Sequence, residues 1–328
     1  MNWKFWLGIG ISLILIFFLF RGVDYQKLWD ASSRANLYLW IPAFLIQYIL
    51  MFIRALRWQY LMGHIKKIRV GSLFSATTIG FMANNLLPAR MGEFVRAYVI
   101  GEKEGVSVTS SFATIVVERL FDIVAVLLMT VSVFLLFELP DGVADVKNTV
   151  RGGAIALLII SVTLVVFLFL LIRYREKALS IVRIFLRPFP ERVQEQVILF
   201  INSLAAGLEI VKDGPALIMV SIYSAMNWAV SALPIYIITL SFGFTLPFSS
   251  ALLILVLLAF AVSVPSSPGY VGPFHYAVYL GLGFYGIGKE EAIGMAIVMH
   301  LAQFVPLVVL GLILVWKEKL TLADLRKS

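Results

Sequence analysis

The fold of this chain depends on the stretch FMANNLLPARMGEFVRAYVI, residues 81–100, which places polar groups between apolar segments. Its polar, charged and helix-breaking residues are Asn84, Asn85, Pro88, Arg90, Gly92, Glu93 and Arg96. The 328-residue chain is 61% hydrophobic and 14% charged, with a mean hydropathy of +0.94. Because a soluble domain carries about 25% charged residues, this composition indicates an integral membrane protein. The stretch is therefore either an exposed loop or a polar element at membrane depth.

Six apolar runs are long enough, with their interfacial flanks, to cross a bilayer as helices, which takes roughly 20 residues. They lie at 3–20, 37–58, 112–137, 152–172, 216–242 and 292–316. No small-x-small cleavage site follows the first run, so we expect a retained helix rather than a signal peptide. The predicted fold class is an all-α polytopic membrane protein, with residues 1–328 forming one membrane domain.

The distribution of Lys and Arg predicts the orientation of these helices. The segment 54–71 has five basic residues and no acid, and 173–192 is also strongly basic, so both are expected in the cytoplasm. The segment 138–150 is mainly acidic and is expected outside. Both termini, including the tail 317–328, are then cytoplasmic, and we expect the protein in the cell membrane.

Two segments, 72–100 and 248–285, remain after the six spans are assigned, and each begins and ends on one side of the membrane. Each is broken near its middle by Pro and Gly. We expect two re-entrant helical hairpins of opposite orientation, a pattern typical of transporter binding sites. The alternative is two pairs of short, tilted full spans. The segment 191–211 has helical apolar periodicity and is expected to be a cytoplasmic amphipathic helix or a plain connector.

The first hairpin and the span that follows it contain an unusual concentration of charge. The candidate substrate-binding residues here are Asn84, Asn85, Arg90, Glu93, Arg96, Glu118, Arg119 and Asp122. Arg90, Glu93 and Arg96 are three apart and could pair with one another on a helix. Glu118 and Asp122 share a helical face and need a basic partner such as Arg90 or Arg96. An unpaired charge at membrane depth costs at least ~2.5–3.5 kcal/mol, so these groups either form a structural lock or hold a lipid headgroup.

The second hairpin contains VPSSPGYVGPFHYA, residues 264–277, which cannot form a regular helix. Its candidate substrate-binding residues are Ser266, Ser267, Gly269 and His275. The predicted helix breakers of the two hairpins are Pro88, Gly92, Pro265, Pro268, Gly272 and Pro273. His300 and Gln303 share a helical face and could line the same cavity. In RALRW, residues 54–58, the two arginines are expected to mark the cytoplasmic interface, with Trp58 as an interfacial anchor.

The sequence lacks common catalytic and metal-binding motifs, and its net charge indicates the kind of partner. With no cysteine, the chain has no disulfide and no thiolate metal site, and its three histidines show no ligand spacing. No P-loop, H-E-x-x-H or G-x-S-x-G motif is present. We therefore predict no enzyme activity, no cofactor and no metal. The net charge of +8 lies mainly beside spans, which favours anionic lipid over nucleic acid as the partner.

Four motifs together resemble the lysylphosphatidylglycerol synthetase transmembrane region, also called the flippase-like domain family. They are RALRW (54–58), NNLLPARMGEFVRAYVI (84–100), VERLFDI (117–123) and VPSSPGYVGPFHYA (264–277). The family includes the membrane half of the multiple peptide resistance factor, which moves aminoacylated phosphatidylglycerol between leaflets, and relatives linked to polyprenyl-phosphate sugar pathways. The resemblance thus implies a lipid-handling protein with re-entrant elements. Fused synthetases also carry a soluble aminoacyl-transfer domain, and this chain ends at Ser328, so lysyl-lipid synthesis is not expected.

The leading prediction is a lipid translocase that works without ATP. Its substrate would be an anionic, aminoacylated or polyprenyl-phosphate-linked lipid, held through its phosphate headgroup by arginines of the hairpins. One alternative is a membrane enzyme acting on a lipid-linked sugar, against which the absence of a D-x-D pair argues. Another is a non-catalytic membrane partner of a separate lipid synthase. A homo-oligomer or a complex with a lipid-modifying enzyme is compatible with each reading.

Overall fold

The structure, a computed structural model, describes residues 3–87, 91–136, 213–263 and 266–320, with scattered single positions between 155 and 202. Regular structure in the four continuous ranges is entirely helical. The helices are α1 (Trp3–Phe20), α2 (Tyr25–Ser33), α3 (Trp40–Met62), α4 (Val70–Leu86), α5 (Gly92–Glu104), α6 (Val108–Leu136), α7 (Gly214–Ser241), α8 (Phe248–Ala261), α9 (Pro273–Gly283) and α10 (Lys289–Lys317). Short 3-10 turns at Leu37–Leu39 and Pro268–Tyr270 precede α3 and α9.

The predicted all-α polytopic membrane fold is confirmed. Within the described ranges, four helices are long and apolar enough to cross a membrane: α3 with its preceding turn, α6, α7 and α10. The apolar α1 has 18 residues, and α2 follows it after a bend of 87°. Helices thus stand at five of the six predicted spans. The sixth, 152–172, and the predicted amphipathic helix 191–211 fall mostly outside the described residues.

Helix ends are set by local hydrogen bonds that the sequence provides. Asp24 caps α2 by accepting from the amides of Gln26 and Lys27. Asp213 caps α7 by accepting from the Ala216 amide, and Pro215 occupies the first turn, where its missing N–H costs nothing. These caps fix where α2 and α7 begin and hence where the chain turns at the two ends of the bundle.

The helices α4 and α5 form the first hairpin, and their close packing requires glycine. A Cβ on Gly92 would lie 2.0 Å from the carbonyl oxygen of Gly80, so no other residue fits without backbone movement. The Gly92 amide donates to Oδ1 of Asn84 at 2.8 Å, which satisfies one amide at the start of α5. The open end of the hairpin lies beside the end of α10, where Ser75 donates to Glu318 at 2.9 Å.

The helices α8 and α9 form the second hairpin, whose open end lies at the beginning of α10. Its turn includes Gly269 at φ 72°, a left-handed conformation that favours glycine. Helix α1 packs against this turn, where the Ser267 amide donates to Oγ of Ser12 at 3.0 Å. Pro273 begins α9 at a position where proline is well tolerated.

The closed ends, or tips, of the two hairpins meet. A Cβ on Gly269 would be 3.5 Å from the carbonyl oxygen of Asn85 and 3.1 Å from the ring of Phe304 in α10. At ~1.5 Å per residue, α4 is about 25 Å long, α8 about 21 Å and α10 about 43 Å. Each hairpin therefore runs along about half of α10, from opposite ends. This arrangement suits re-entrant hairpins, although their depth in a bilayer stays a prediction.

Candidate functional site

A buried network of charged side chains joins α3, α5 and α6. Arg57 is 1% exposed and lies between two carboxylates, with Nη1 2.6 Å from Oδ1 of Asp122 and Nη2 2.9 Å from Oε1 of Glu118. Its Nη1 also donates to Oγ of Ser224 in α7 at 3.1 Å. Because Glu118 is fully buried, its charge depends on these partners for stabilisation.

The hairpin helix α5 contributes Arg96 to the same network. Arg96 forms two parallel hydrogen bonds to Glu118, at 3.0 and 2.9 Å, the bidentate arrangement that suits a planar guanidinium. Its guanidinium carbon lies 3.8 Å from the centre of the Trp58 ring, a cation–π contact. The network thus fixes the returning arm of the first hairpin to α6 and α3.

The third arginine, Arg119, lies at the edge of the network and is 38% exposed. It contacts Glu118 at 2.8 Å and Asp122 at 3.3 Å, and its Nε is 3.9 Å from Glu93. The predicted pairing of Glu93 with Arg96 is therefore wrong, because Arg96 turns toward α6 and Glu93 faces Arg119. The predicted pairing of Glu118 with Arg96 is present.

The assignment of RALRW to the membrane interface is also wrong for two of its residues. Trp58 is fully buried and donates from Nε1 to Oγ1 of Thr114 at 2.9 Å. Arg57 is buried because α6 presents two carboxylates to that face of α3. Sequence reasoning missed Arg57, although two acids four residues apart on one span already required more than one cation.

A cavity of about 190 Å³ lies between α3, α7, α8, α9 and α10, with Phe81 of α4 at one side. Its polar lining residues are Gln47, Arg54, Asn227, Trp228, Ser231 and Gln303. The remaining wall is apolar and includes Leu50, Leu258, Phe274 and Met299. The cavity is amphipathic. Gln303 lines it, whereas His300, which was expected to line the same cavity, is not among its described lining residues and instead contacts the Gly269 carbonyl.

Arg54 lies one helical turn from Arg57 but has different partners. Its Nε donates to Oδ1 of Asn227 at 2.8 Å, and its guanidinium carbon is 4.1 Å from the centre of the Phe81 ring. Among the described residues, no Asp or Glu forms an ion pair with it. Arg54, Asn227 and Trp228 were not predicted as site residues, because a helical pattern does not show which polar side chains face a cavity.

The second predicted constellation lies at the tip of the second hairpin. The Nε2 atom of His300 is 2.7 Å from the carbonyl oxygen of Gly269, and since a carbonyl only accepts, Nε2 is the donor. The His275 and His300 rings are 4.8 Å apart between centres. The Ser267 amide donates to Oγ of Ser12, and its hydroxyl donates to the Val271 carbonyl.

The predicted site residues thus fall into two groups, one in the charged network and one at the hairpin tips. The charged group holds Glu93, Arg96, Glu118, Arg119 and Asp122, and the tip group holds Asn85, Ser266, Ser267, Gly269 and His275. Asn84 instead caps α5, while Pro88, Arg90 and Pro265 lie outside the described residues. In the ranges given above, no three His, Asp or Glu side chains are arranged to hold a metal ion.

The helices and the buried polar site define an α-helical polytopic membrane protein with charged groups inside the bundle. The chain belongs to the lysylphosphatidylglycerol synthase TM region family, whose model matches residues 5–311. The resemblance drawn from the four motifs is therefore confirmed.

Two similar proteins match most of the chain, and a third matches part of it. A UPF0104 membrane protein of Pyrococcus horikoshii is 26% identical over 95% of this chain and 96% of its own length. A UPF0104 membrane protein of Methanothermobacter thermautotrophicus is 24% identical, covering 84% of each chain. The glycosyltransferase AglD of Haloferax volcanii is 23% identical over 44% of this chain but only 24% of its own length. The first two names state no activity.

Proposed function

We propose that this protein is a lipid translocase that moves a phosphate-bearing lipid between leaflets of the cell membrane without hydrolysing nucleotide. The observation that carries this proposal is the contact between the two hairpin tips, at Asn85 and Gly269, near the middle of α10. Irregular backbone at membrane depth is tolerated where it is buried in protein or lines a polar cavity. Paired broken elements of opposite orientation are the usual surroundings of a transporter binding site.

The amphipathic cavity supports the same proposal, because a lipid has a polar headgroup and apolar chains. The headgroup would occupy the end of the cavity near Arg54, and the acyl chains would stay against apolar walls and the bilayer. The charged network would keep the first hairpin in place while the second hairpin moves. In this proposal the termini are cytoplasmic, and transport is passive or coupled to an ion.

Reconstitution into liposomes containing fluorescent phosphatidylglycerol tests the proposal. A membrane-impermeant reductant bleaches only outer-leaflet lipid, so translocation raises the bleached fraction from about half toward completion. We expect this for the native protein, and a large loss for Arg54→Gln, which removes the cation at the headgroup end of the cavity. The matched control is Lys27→Gln, on an exposed residue of α2. Bleaching no greater than in protein-free vesicles would overturn the proposal.

A second candidate is a membrane enzyme acting on a lipid-linked sugar. The similarity to part of AglD, which is named a glycosyltransferase, supports this candidate. Purified protein would be incubated with a lipid-linked sugar, an acceptor and divalent metal ions. Product formation above a heat-inactivated control would support the enzyme. Co-purification of a stable synthase subunit would instead support a non-catalytic partner role.

A further inference from the structure

The described residues that line the cavity beside the hairpin junction present a cation and hydrogen-bond donors but no carboxylate. We propose that it is a binding site for a compact anionic headgroup, with Arg54 contacting the phosphate, and that it discriminates against headgroups carrying an additional ammonium group. Lipids such as phosphatidylglycerol or phosphatidic acid would fit, and aminoacylated lipids would not. That the bound lipid is also the translocated substrate rests on the proposed function, but binding to this site can be measured without translocation.

The first step is the unbalanced charge of Arg54. Arg57, one turn away, takes both carboxylates of α6, whereas Arg54 uses only its Nε for Asn227 among the described contacts. An arginine inside a membrane bundle is costly without a counter-charge. Its planar fork is suited to two phosphate oxygens. A headgroup phosphate would supply the missing negative charge.

The second step is an unused donor in the wall of the same cavity. Nε1 of Trp228 is buried and has no hydrogen-bond partner among the described residues, and Trp228 lines the cavity. Leaving a buried donor unpaired costs about 1–3 kcal/mol, which an oxygen of a bound headgroup would recover. Gln47, which is 7% exposed, also lines the cavity from α3, and its side-chain amide is a further potential donor.

The third step is selectivity by charge and size. Among the described residues that line the cavity there is no Asp or Glu, so an ammonium group would find amide and hydroxyl oxygens but no carboxylate, and would be repelled by Arg54. The volume of about 190 Å³ is below the roughly 300–1,000 Å³ of sites for drug-sized ligands. The site therefore favours a small phosphate headgroup over a lysyl or glycosyl one.

Calorimetric titration of the purified chain in detergent tests this site. The probes are short-chain phosphatidylglycerol, its lysyl ester and inorganic phosphate. We expect phosphatidylglycerol to bind at least tenfold more tightly than the lysyl ester, because the ester places a second cation near Arg54. Arg54→Gln should weaken phosphatidylglycerol binding about tenfold or more, and Arg54→Lys should weaken it less. Arg34→Gln, on an exposed arginine after α2, is the matched control.

A second variant tests whether the lack of a carboxylate among the described lining residues determines the selectivity between the two lipids. Gln303→Glu places a carboxylate in the lining and should weaken phosphatidylglycerol binding while improving the lysyl ester. Equal affinity of native protein and folded Arg54→Gln, or no preference between the lipids, would overturn this inference, as would inorganic phosphate binding as tightly as the lipid. Non-selective binding with intact flipping would overturn this inference alone. Selective binding without flipping would overturn only the proposed function.

Discussion

Two arginines one helical turn apart in α3 meet opposite surroundings. Arg57 is enclosed by Glu118 and Asp122, whereas Arg54 lies over Phe81 and lines a cavity. The buried pair stabilises the bundle only while it is complete, because either partner alone leaves a buried charge. At the scale of single residues, the network is therefore structural and the cavity arginine is available for a ligand.

Removing the charge of Arg57 should be strongly destabilising. For Arg57→Met we expect a loss of about 3–5 kcal/mol in the free energy of unfolding, because Glu118 and Asp122 lose a buried partner. Lys66→Gln breaks an exposed pair with Glu104 and should cost about 0–1 kcal/mol. Unfolding in bicelles, followed by steric trapping, measures both. Equal losses for the two variants would show that the buried network is not a stabilising unit.

The contact between Gly80 and Gly92 predicts a sharp difference between two glycine substitutions. Gly92→Ala should prevent α4 and α5 from packing and lower the thermal unfolding temperature, since its Cβ would collide with backbone. Gly71→Ala is the control, because nothing lies within 4 Å of the added Cβ. Its higher helix propensity, about 0.5–1 kcal/mol, should keep or raise the thermal unfolding temperature. Tolerance of Gly92→Ala would contradict the observed hairpin packing.

At the scale of elements, the tip of the second hairpin is attached to α10 through the bond between His300 and the Gly269 carbonyl. His300→Gln retains a side-chain donor of similar reach, whereas His300→Leu retains volume without a donor. We expect faster amide hydrogen exchange over residues 266–272 in the leucine variant than in the glutamine variant. The same exchange rate in both would mean that this hydrogen bond does not hold the tip.

The open end of the first hairpin is attached to the end of α10 through Glu318, which Ser75 and Lys103 contact. Burial raises the pKa of Glu318, but hydrogen bonds from Lys103 and Ser75 outweigh it and hold the pKa below its usual value. Since the folded-state pKa is lowered, this stabilisation is present above the ordinary carboxyl pKa and is lost as pH falls through the folded value.

The comparison of native protein with Glu318→Gln isolates that contribution. The native protein should be the more stable of the two above about pH 5, and the difference should shrink below about pH 4. Thermal unfolding at a series of pH values measures this. A stability difference that grows as the pH falls would contradict the attachment, because the sign of the linkage would be reversed.

At the scale of the whole molecule, apolar run length and Pro/Gly interruptions were sufficient to predict the helices at five of the six spans and the breaks between α4 and α5 and between α8 and α9. The sixth span lies mostly outside the described residues, and the re-entrant depth of the two hairpins stays a prediction. These patterns could not predict that Arg57 and Trp58 of RALRW are buried, because whether Trp58 faces lipid or protein depends on which helix packs beside α3. Nor could they find Asn227 and Trp228, which lie about 170 residues beyond Arg54 in sequence and meet it only in the folded bundle. Local patterns specify elements, whereas the cavity is a product of their tertiary arrangement.

The central claim is that two hairpins enter from opposite faces and meet inside the membrane. Single cysteines in this cysteine-free chain, labelled with an impermeant maleimide from either face of oriented vesicles, test it most directly. Glu102→Cys and Thr245→Cys, at the open ends of the first and second hairpins, serve as references for the two faces. We expect these references to label from opposite faces, and Leu86→Cys, at the first tip, to label poorly or only from the face that labels Glu102→Cys. Leu86→Cys labelling from the Thr245 face as fast as Thr245→Cys itself would show that α4 crosses completely and would contradict the claim.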